Sequence, residues 1–220
     1  VQFGSILAVL VRYFHKLNPF STQKNQKQKR DTLSLWGKVL IATVPAGIIG
    51  LLFEEKINAL FYNPTTVAIT LIVYGVGFIV VESQKRKGRI RSFAQMSART
   101  EALIGVFQVL ALIPGTSRSG ATILGAVMLG CTRTVAAEFS FFLAIPVMLG
   151  ASGLKLIKYA DLLVGPQLLT LLVGTVVAFV VSLFAIKFLM NYIRKHDFTA
   201  FGWYRIVLGA IVLLYFGIFA

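Results

Sequence analysis

Residues 167–186, QLLTLLVGTVVAFVVSLFAI, contain no charged side chain. A helix of about 20 apolar residues spans the roughly 30 Å hydrocarbon core of a bilayer. Similar runs occupy 37–53, 65–82, 135–154 and 203–220, with a partial one at 1–11. Backbone N–H and C=O groups cannot be left unbonded in lipid, so runs of this kind commit the chain to helices. A hydrophobic share of 57% and a mean hydropathy of +0.80 agree. The predicted fold is an all-α integral membrane protein, a polytopic helical bundle.

The net charge of +14 would suit a nucleic-acid partner, but its placement argues against one. Lys24, Lys27, Lys29, Arg30 and Lys38 form one cluster, and Lys85, Arg86, Lys87, Arg89, Arg91 and Arg99 a second. Arg194, Lys195 and Arg205 flank a third loop. The loops between them carry Lys56 with Glu54 and Glu55, and Lys155 and Lys158 with Asp161. This alternation is the positive-inside pattern, which puts the three rich loops in the cytoplasm beside anionic lipid headgroups. Membrane lipids, and no nucleic acid, are the expected partners of this charge. Cys131 is the sole cysteine and forms no internal disulfide.

The basic stretch 20–36 reads as a solvated loop, and so does 83–100, which closes on a helix start capped by Ser97 or Thr100 ahead of Glu101. After it, 101–113 and 120–131 are each too short to cross: at 1.5 Å per residue, 101–113 climbs about 20 Å. The pair is therefore expected to form a re-entrant hairpin over 101–131 with both ends in the cytoplasm. Its tip, PGTSRSG, lies deep in the membrane, where irregular backbone survives only around a cavity or inside protein.

Two weak internal matches recur at nearly one spacing. QFGSILAVL (2–10) is similar to EFSFFLAIP (138–146), and IATVPAGIIGLLF (41–53) to LVGTVVAFVVSLF (172–184). The copies run in opposite senses through the membrane, an inverted-topology repeat of the kind that puts a site where broken helices meet. The expected organisation is a single polytopic domain over 1–220, with 1–82 a partial first repeat and 101–220 the second. The hairpin's counterpart would precede residue 1, so a second, N-terminal hairpin is expected to be missing.

Arg118 dominates the tip. An arginine at a helix centre in lipid costs about 2.5–3.5 kcal/mol or more, so by default it marks a functional site with an anionic partner. Its planar fork of donors suits phosphate oxygens. The N–H groups near Ser119, Gly120 and Ala121 open the next helix and attract anions. Ser117, Ser119 and Thr122 add hydroxyls, while Gly115 and Gly120 let backbone approach closely. The sum is an oxyanion cradle within a membrane, suited to a lipid phosphate. The plainer alternative is that the small residues permit close helix packing and that Arg118 pairs with Glu138 or Glu101. Glu82 is another intramembrane acid, and Glu138 is equally available to Arg118 or Arg133. His15 and His196 fall at the interface. The Ser-Arg…His spacing of a common class of membrane lipid phosphatases is not met, and no metal-ligand spacing occurs.

QVLALIPGTSRSGATI (108–123), followed by AAEFSFFLAIPVMLGA (136–151), resembles the signature of the bacterial undecaprenyl-diphosphate phosphatases, the bacitracin-resistance protein family. The similarity runs over essentially the whole chain. It implies a multi-pass enzyme of the bacterial plasma (inner) membrane, opening toward the periplasm, that hydrolyses undecaprenyl diphosphate to undecaprenyl phosphate and phosphate and so recycles the cell-wall lipid carrier. It assigns catalytic roles to Arg118, Ser117 and Thr122, and substrate binding to Ser119, Gly120, Gly115, Thr116 and Gln108. Assembly into a homo-oligomer is left open. The family's glutamate-rich EGxTEFLPxSSTGH-type hairpin does not occur in this sequence. The divalent cation that the resemblance implies, Mg or Ca, would take its ligands there, so the chain as given is expected to lack the chemical half of the site and much of its activity. A polyprenyl-phosphate transporter or flippase using the same cradle is the alternative function, and a structural membrane protein packing through small residues a third.

Overall fold

A computed structural model describes residues 2–84, 88–159 and 165–219. Helix α1 is Gln2–Arg12, α2 Phe14–Leu17, α3 Gln26–Phe61, α4 Pro64–Ser83 and α5 Ala98–Val109. Helix α6 is Arg118–Met128, α7 Arg133–Lys158, α8 Pro166–Lys195 and α9 Thr199–Phe219. Among the described residues there is no strand, only an isolated bridge between Ile90 and Cys131. Among the described residues, five helices are long and apolar enough to cross a membrane, over Gln26–Phe53, Pro64–Ser83, Arg133–Lys158, Gln167–Lys195 and Thr199–Ile218. Leu169, Val176, Phe184 and Phe188 stand exposed along α8, as a lipid-facing surface requires. The chain is an all-α membrane protein. Lys85, Arg86 and Lys87 of the second basic cluster, Asp161, and the terminal Val1 lie outside the described residues.

One boundary differs from expectation. The stretch 20–36 is helical from Gln26 onward, so α3 begins well before its apolar run. Asn25 and Gln28 form a reciprocal cap: the Asn25 side chain accepts from Gln28 N at 2.9 Å, and the Gln28 side chain from Asn25 N at 3.1 Å. Lys, Gln and Arg, polar but good helix formers, fill the first turns. Trp36 then donates its indole N–H to the Leu17 carbonyl at 2.9 Å.

The chain divides into two compact units, Val1–Leu40 with Phe141–Tyr192, and Ile41–Ser140 with Ile193–Ala220. In the first, Ile6, Val9, Leu35, Val39, Phe142 and Leu143 are buried. There α1 crosses α8 so closely that a Cβ on Gly4 would fall on the Thr175 carbonyl, and Ser182 donates to Ser5 at 2.8 Å.

The second unit carries the hairpin. Helices α4 and α9 pack along much of their length. A Cβ on Gly75 would stand 2.7 Å from the Gly202 carbonyl oxygen, and one on Gly202 2.8 Å from that of Gly75. Side chains this small let helix backbones approach in lipid, where dispersion rather than water expulsion drives association. Helices α5 and α6 fold back on each other and α6 also touches α4. Ser97 caps α5, accepting from Thr100 N at 3.2 Å. At the other foot, Gly130 N bonds Val127 O at 3.0 Å and Cys131 N bonds Ala126 O at 2.9 Å, a Schellman stop. The loop 88–96 is less solvated than its charge implies. Arg89 N and Ile90 N both donate to Gly130 O at 2.9 Å, Thr132 N donates to Ile90 O at 2.9 Å, and Met96 is buried.

Candidate functional site

The tip is placed by α4. Pro114 and Gly115 end the first arm, and Gly115 takes a φ of +84°, which a side chain would strain. A Cβ there would also meet the Val67 backbone at 2.6 Å. Thr70 of α4 donates to the Pro114 carbonyl at 2.9 Å. At the other end of α4, Glu82 accepts from Arg133 Nε at 2.9 Å and from Phe198 N at 3.2 Å, and forms an ion pair with Arg133 Nη2. Arg133 therefore pairs with Glu82. From Glu82 to Thr70 the helix rises roughly 18 Å. The tip and the ion pair thus lie at well-separated levels along one helix.

Ser117 starts the second arm. Its hydroxyl accepts from Gly120 N at 3.2 Å and lies 3.1 Å from the Ser119 hydroxyl. That cap satisfies one of the orphan N–H groups of α6 and leaves the first turn with its partial positive charge. Arg118 is the first residue of α6 and half-buried. The Thr122 hydroxyl is buried one turn later. It donates to the Arg118 carbonyl at 2.9 Å or shares a 2.7 Å hydrogen bond with Ser140 of α7. Thr116 is buried at the tip beside Tyr74 of α4. The structure thus gathers Gly115, Thr116, Ser117, Arg118, Ser119 and Gly120 into one turn, with Thr122 beneath it. Gln108 stands apart on α5, buried, with its side-chain N–H₂ 3.4 Å from the Ala42 carbonyl of α3.

Sequence reasoning missed Arg205. Grouped above with the basic residues flanking a cytoplasmic loop, it lies instead against the tip, with its guanidinium over Gly120. A Cβ built on that glycine would stand 3.1 Å from Nη2 and 3.3 Å from Cζ and Nη1. Tyr74 is its neighbour on α4. Among the described residues, buried Nη1 of Arg205 has no hydrogen-bond partner. An arginine two turns inside an apolar helix was itself the signal, because such residues rarely face lipid.

The arrangement is one of donors. A capped helix start, serine hydroxyls and two arginines, one supplied by α6 and one by α9, meet at a turn inside a membrane protein. In low dielectric such groups attract an oxyanion strongly, and guanidinium is matched to phosphate. Among the described residues no three of His, Cys, Asp or Glu converge where they could hold a metal ion. The residues present thus do not fit the divalent cation that the resemblance implies.

A family model described as "Bacitracin resistance protein BacA" matches residues 1–211. Undecaprenyl-diphosphatase 1 of Clostridioides difficile is 60% identical over 216 residues, covering 98% of this chain and 79% of that protein. The undecaprenyl-diphosphatase of Acetivibrio thermocellus is 59% identical over 218 residues, covering 98% of this chain and 80% of its relative. That of Enterococcus faecalis is 53% identical over 220 residues, with the same two shares, 98% and 80%. With a family match over residues 1–211 and relatives 53–60% identical across 98% of its length, this chain belongs to the bacitracin resistance protein BacA family.

Proposed function

We propose that the chain is an undecaprenyl-diphosphate phosphatase of the bacterial plasma membrane, and that the tip of the α5–α6 hairpin is its phosphate-binding face. The observation that carries this reading is the meeting of Arg118, Arg205 and the Ser117-capped start of α6 at one turn. The names of the relatives support the substrate. In the reaction, water attacks the terminal phosphorus, the P–O bond to the bridging oxygen breaks, and that oxygen leaves with undecaprenyl phosphate. Negative charge spreads over the transferred phosphoryl oxygens and gathers on the leaving group. Positioned guanidinium and N–H donors stabilise that charge without reorganising, usually the largest single contribution to catalysis. Arg118 and the serines bind and orient the terminal group, while Thr122 and Ser140 fix the turn beneath them.

The site opens toward the periplasm in this reading. Both feet of the hairpin lie beside the basic loop of residues 88–96, which belongs inside by its charge, so the tip points outward. Substrate and surrounding membrane lipids are its partners. The product returns to cell-wall synthesis as the recycled carrier.

The test is phosphate release from undecaprenyl diphosphate in detergent by the full-length protein. Losing one oxyanion donor typically costs 100-fold or more, so Arg118→Ala is expected to lower kcat by about that factor. Arg118→Lys, a charge without the fork, should recover only part of it. Near-wild-type turnover in Arg118→Ala removes the tip from the chemistry. No release from folded wild-type protein, with faster transbilayer movement of labelled polyprenyl phosphate in proteoliposomes, replaces the phosphatase with a carrier.

A further inference from the structure

A cavity of about 800 Å³ opens at the end of α4 remote from the tip, a volume within the roughly 300–1,000 Å³ of ligand pockets. Its wall forms where the last turns of α4, α6 and α8 meet the first residues of α7 and α9, all within the second unit. Ile79, Val127 and Met128 supply apolar wall, and Arg133 and Arg194 supply positive charge beside the acids Glu82 and Asp197. Both acids are already engaged. The Glu82 side chain, 6% exposed, accepts from Arg133 Nε and Nη2 and from Phe198 N. Asp197 accepts from Thr199 N at 3.1 Å, at the start of α9. The grip of Glu82 takes one edge of the Arg133 fork and leaves Nη1 for another acceptor, and that arginine side chain is still 42% exposed. Arg194 is exposed. At the rim, Gly88 leads into the exposed Arg89 and Arg91, on a loop fastened by the bonds of Arg89 N and Ile90 N to Gly130 O. Four arginines thus stand against two acids that are turned to other partners.

We propose that this cavity binds an anionic phospholipid, with the phosphate at Arg133 and Arg194 and an acyl chain along Ile79, Val127 and Met128. The cavity lies where helices of the bundle end beside a basic loop, the level of lipid headgroups, and basic pockets between helices at that level take anionic lipids. A free anion would use the arginines and leave the apolar wall wet. A zwitterionic lipid would bring its own cation to a rim that is already cationic. Guanidinium is matched to phosphate, and the ligand joins the ends of α4, α7, α8 and α9 that meet there. The inference stands apart from the chemistry at the tip.

The experiment titrates the full-length protein in detergent with phosphatidylglycerol, and with phosphatidylcholine of the same chains, and reads bound lipid by native mass spectrometry. Wild type is expected to bind phosphatidylglycerol about tenfold more tightly, the worth of one charge-assisted hydrogen bond. Arg194→Gln should remove most of that preference. Arg133→Lys, which keeps a charge beside Glu82 but not the fork, should reduce it as well, and it decides the matter if Arg194→Gln does not fold. Glycerol 1-phosphate, the same headgroup chemistry without chains, should compete only weakly. A wild type that binds both lipids alike overturns the proposal. So does a preference that survives in the folded variants, which would belong to the lipid shell around the whole protein. Glycerol 1-phosphate binding as tightly as the lipid would make the cavity a site for a free anion, and would overturn the proposal too.

Discussion

Thr122 shows how a residue beneath the hairpin tip can act through the protein interior. Its hydroxyl is 2.7 Å from that of Ser140, and both residues are buried. Thr122→Val keeps the shape and strands the Ser140 hydroxyl, which costs about 1–3 kcal/mol. Thermal unfolding in detergent should show that loss, and Thr122→Ser, which retains the hydroxyl, should recover most of it. An unchanged melting temperature in Thr122→Val would show that this bond holds nothing. Arg118 and Arg205 differ in kind, because their contribution depends on what they meet. For them the discriminating measurement is turnover rather than stability.

At the scale of elements, the membrane spans and the hairpin were legible in the sequence because both are decided by length and charge. A segment such as 101–113 cannot reach across the bilayer, whatever its neighbours do. The start of α3 was hidden because polarity masked a capping pair at Asn25 and Gln28. Asn25→Ala should cost about 1 kcal/mol and speed amide exchange over residues 26–30, leaving the apolar part of α3 protected. Uniform exchange behaviour would mean that the Asn25 cap does not hold the segment. The position of Arg205 was hidden for another reason. It depends on which residue of α9 comes level with Gly120, a matter of helix register that a single sequence carries no local mark of. The pairing of Arg133 with Glu82, 51 residues away in sequence, is likewise a product of tertiary packing.

For the whole molecule, the proposed outward-facing tip predicts which end of α4 lies on which side. Tyr62 and Gln84 flank that helix and are exposed. A membrane-impermeant maleimide added outside intact cells should label Tyr62→Cys and spare Gln84→Cys, and the opposite pattern would turn the site to the cytoplasm. The native Cys131 does not interfere. It is buried, and burial pushes its thiol up to about 11, leaving little thiolate at neutral pH.

The seam between α4 and α9 bears on how such a protein can change over generations. Gly75 and Gly202 each occupy the space that the other's Cβ would need. At an ordinary contact, a bulkier residue on one side is accommodated by a trimmed one opposite. Here the opposing atom is a backbone carbonyl oxygen, which no exchange of side chains can trim. Neither position can drift alone, and no paired exchange rescues it. The spacing that brings α9, and with it Arg205, up to the turn at Gly120 is therefore inherited as a fixed length, while the lipid-facing surface around it is free to vary.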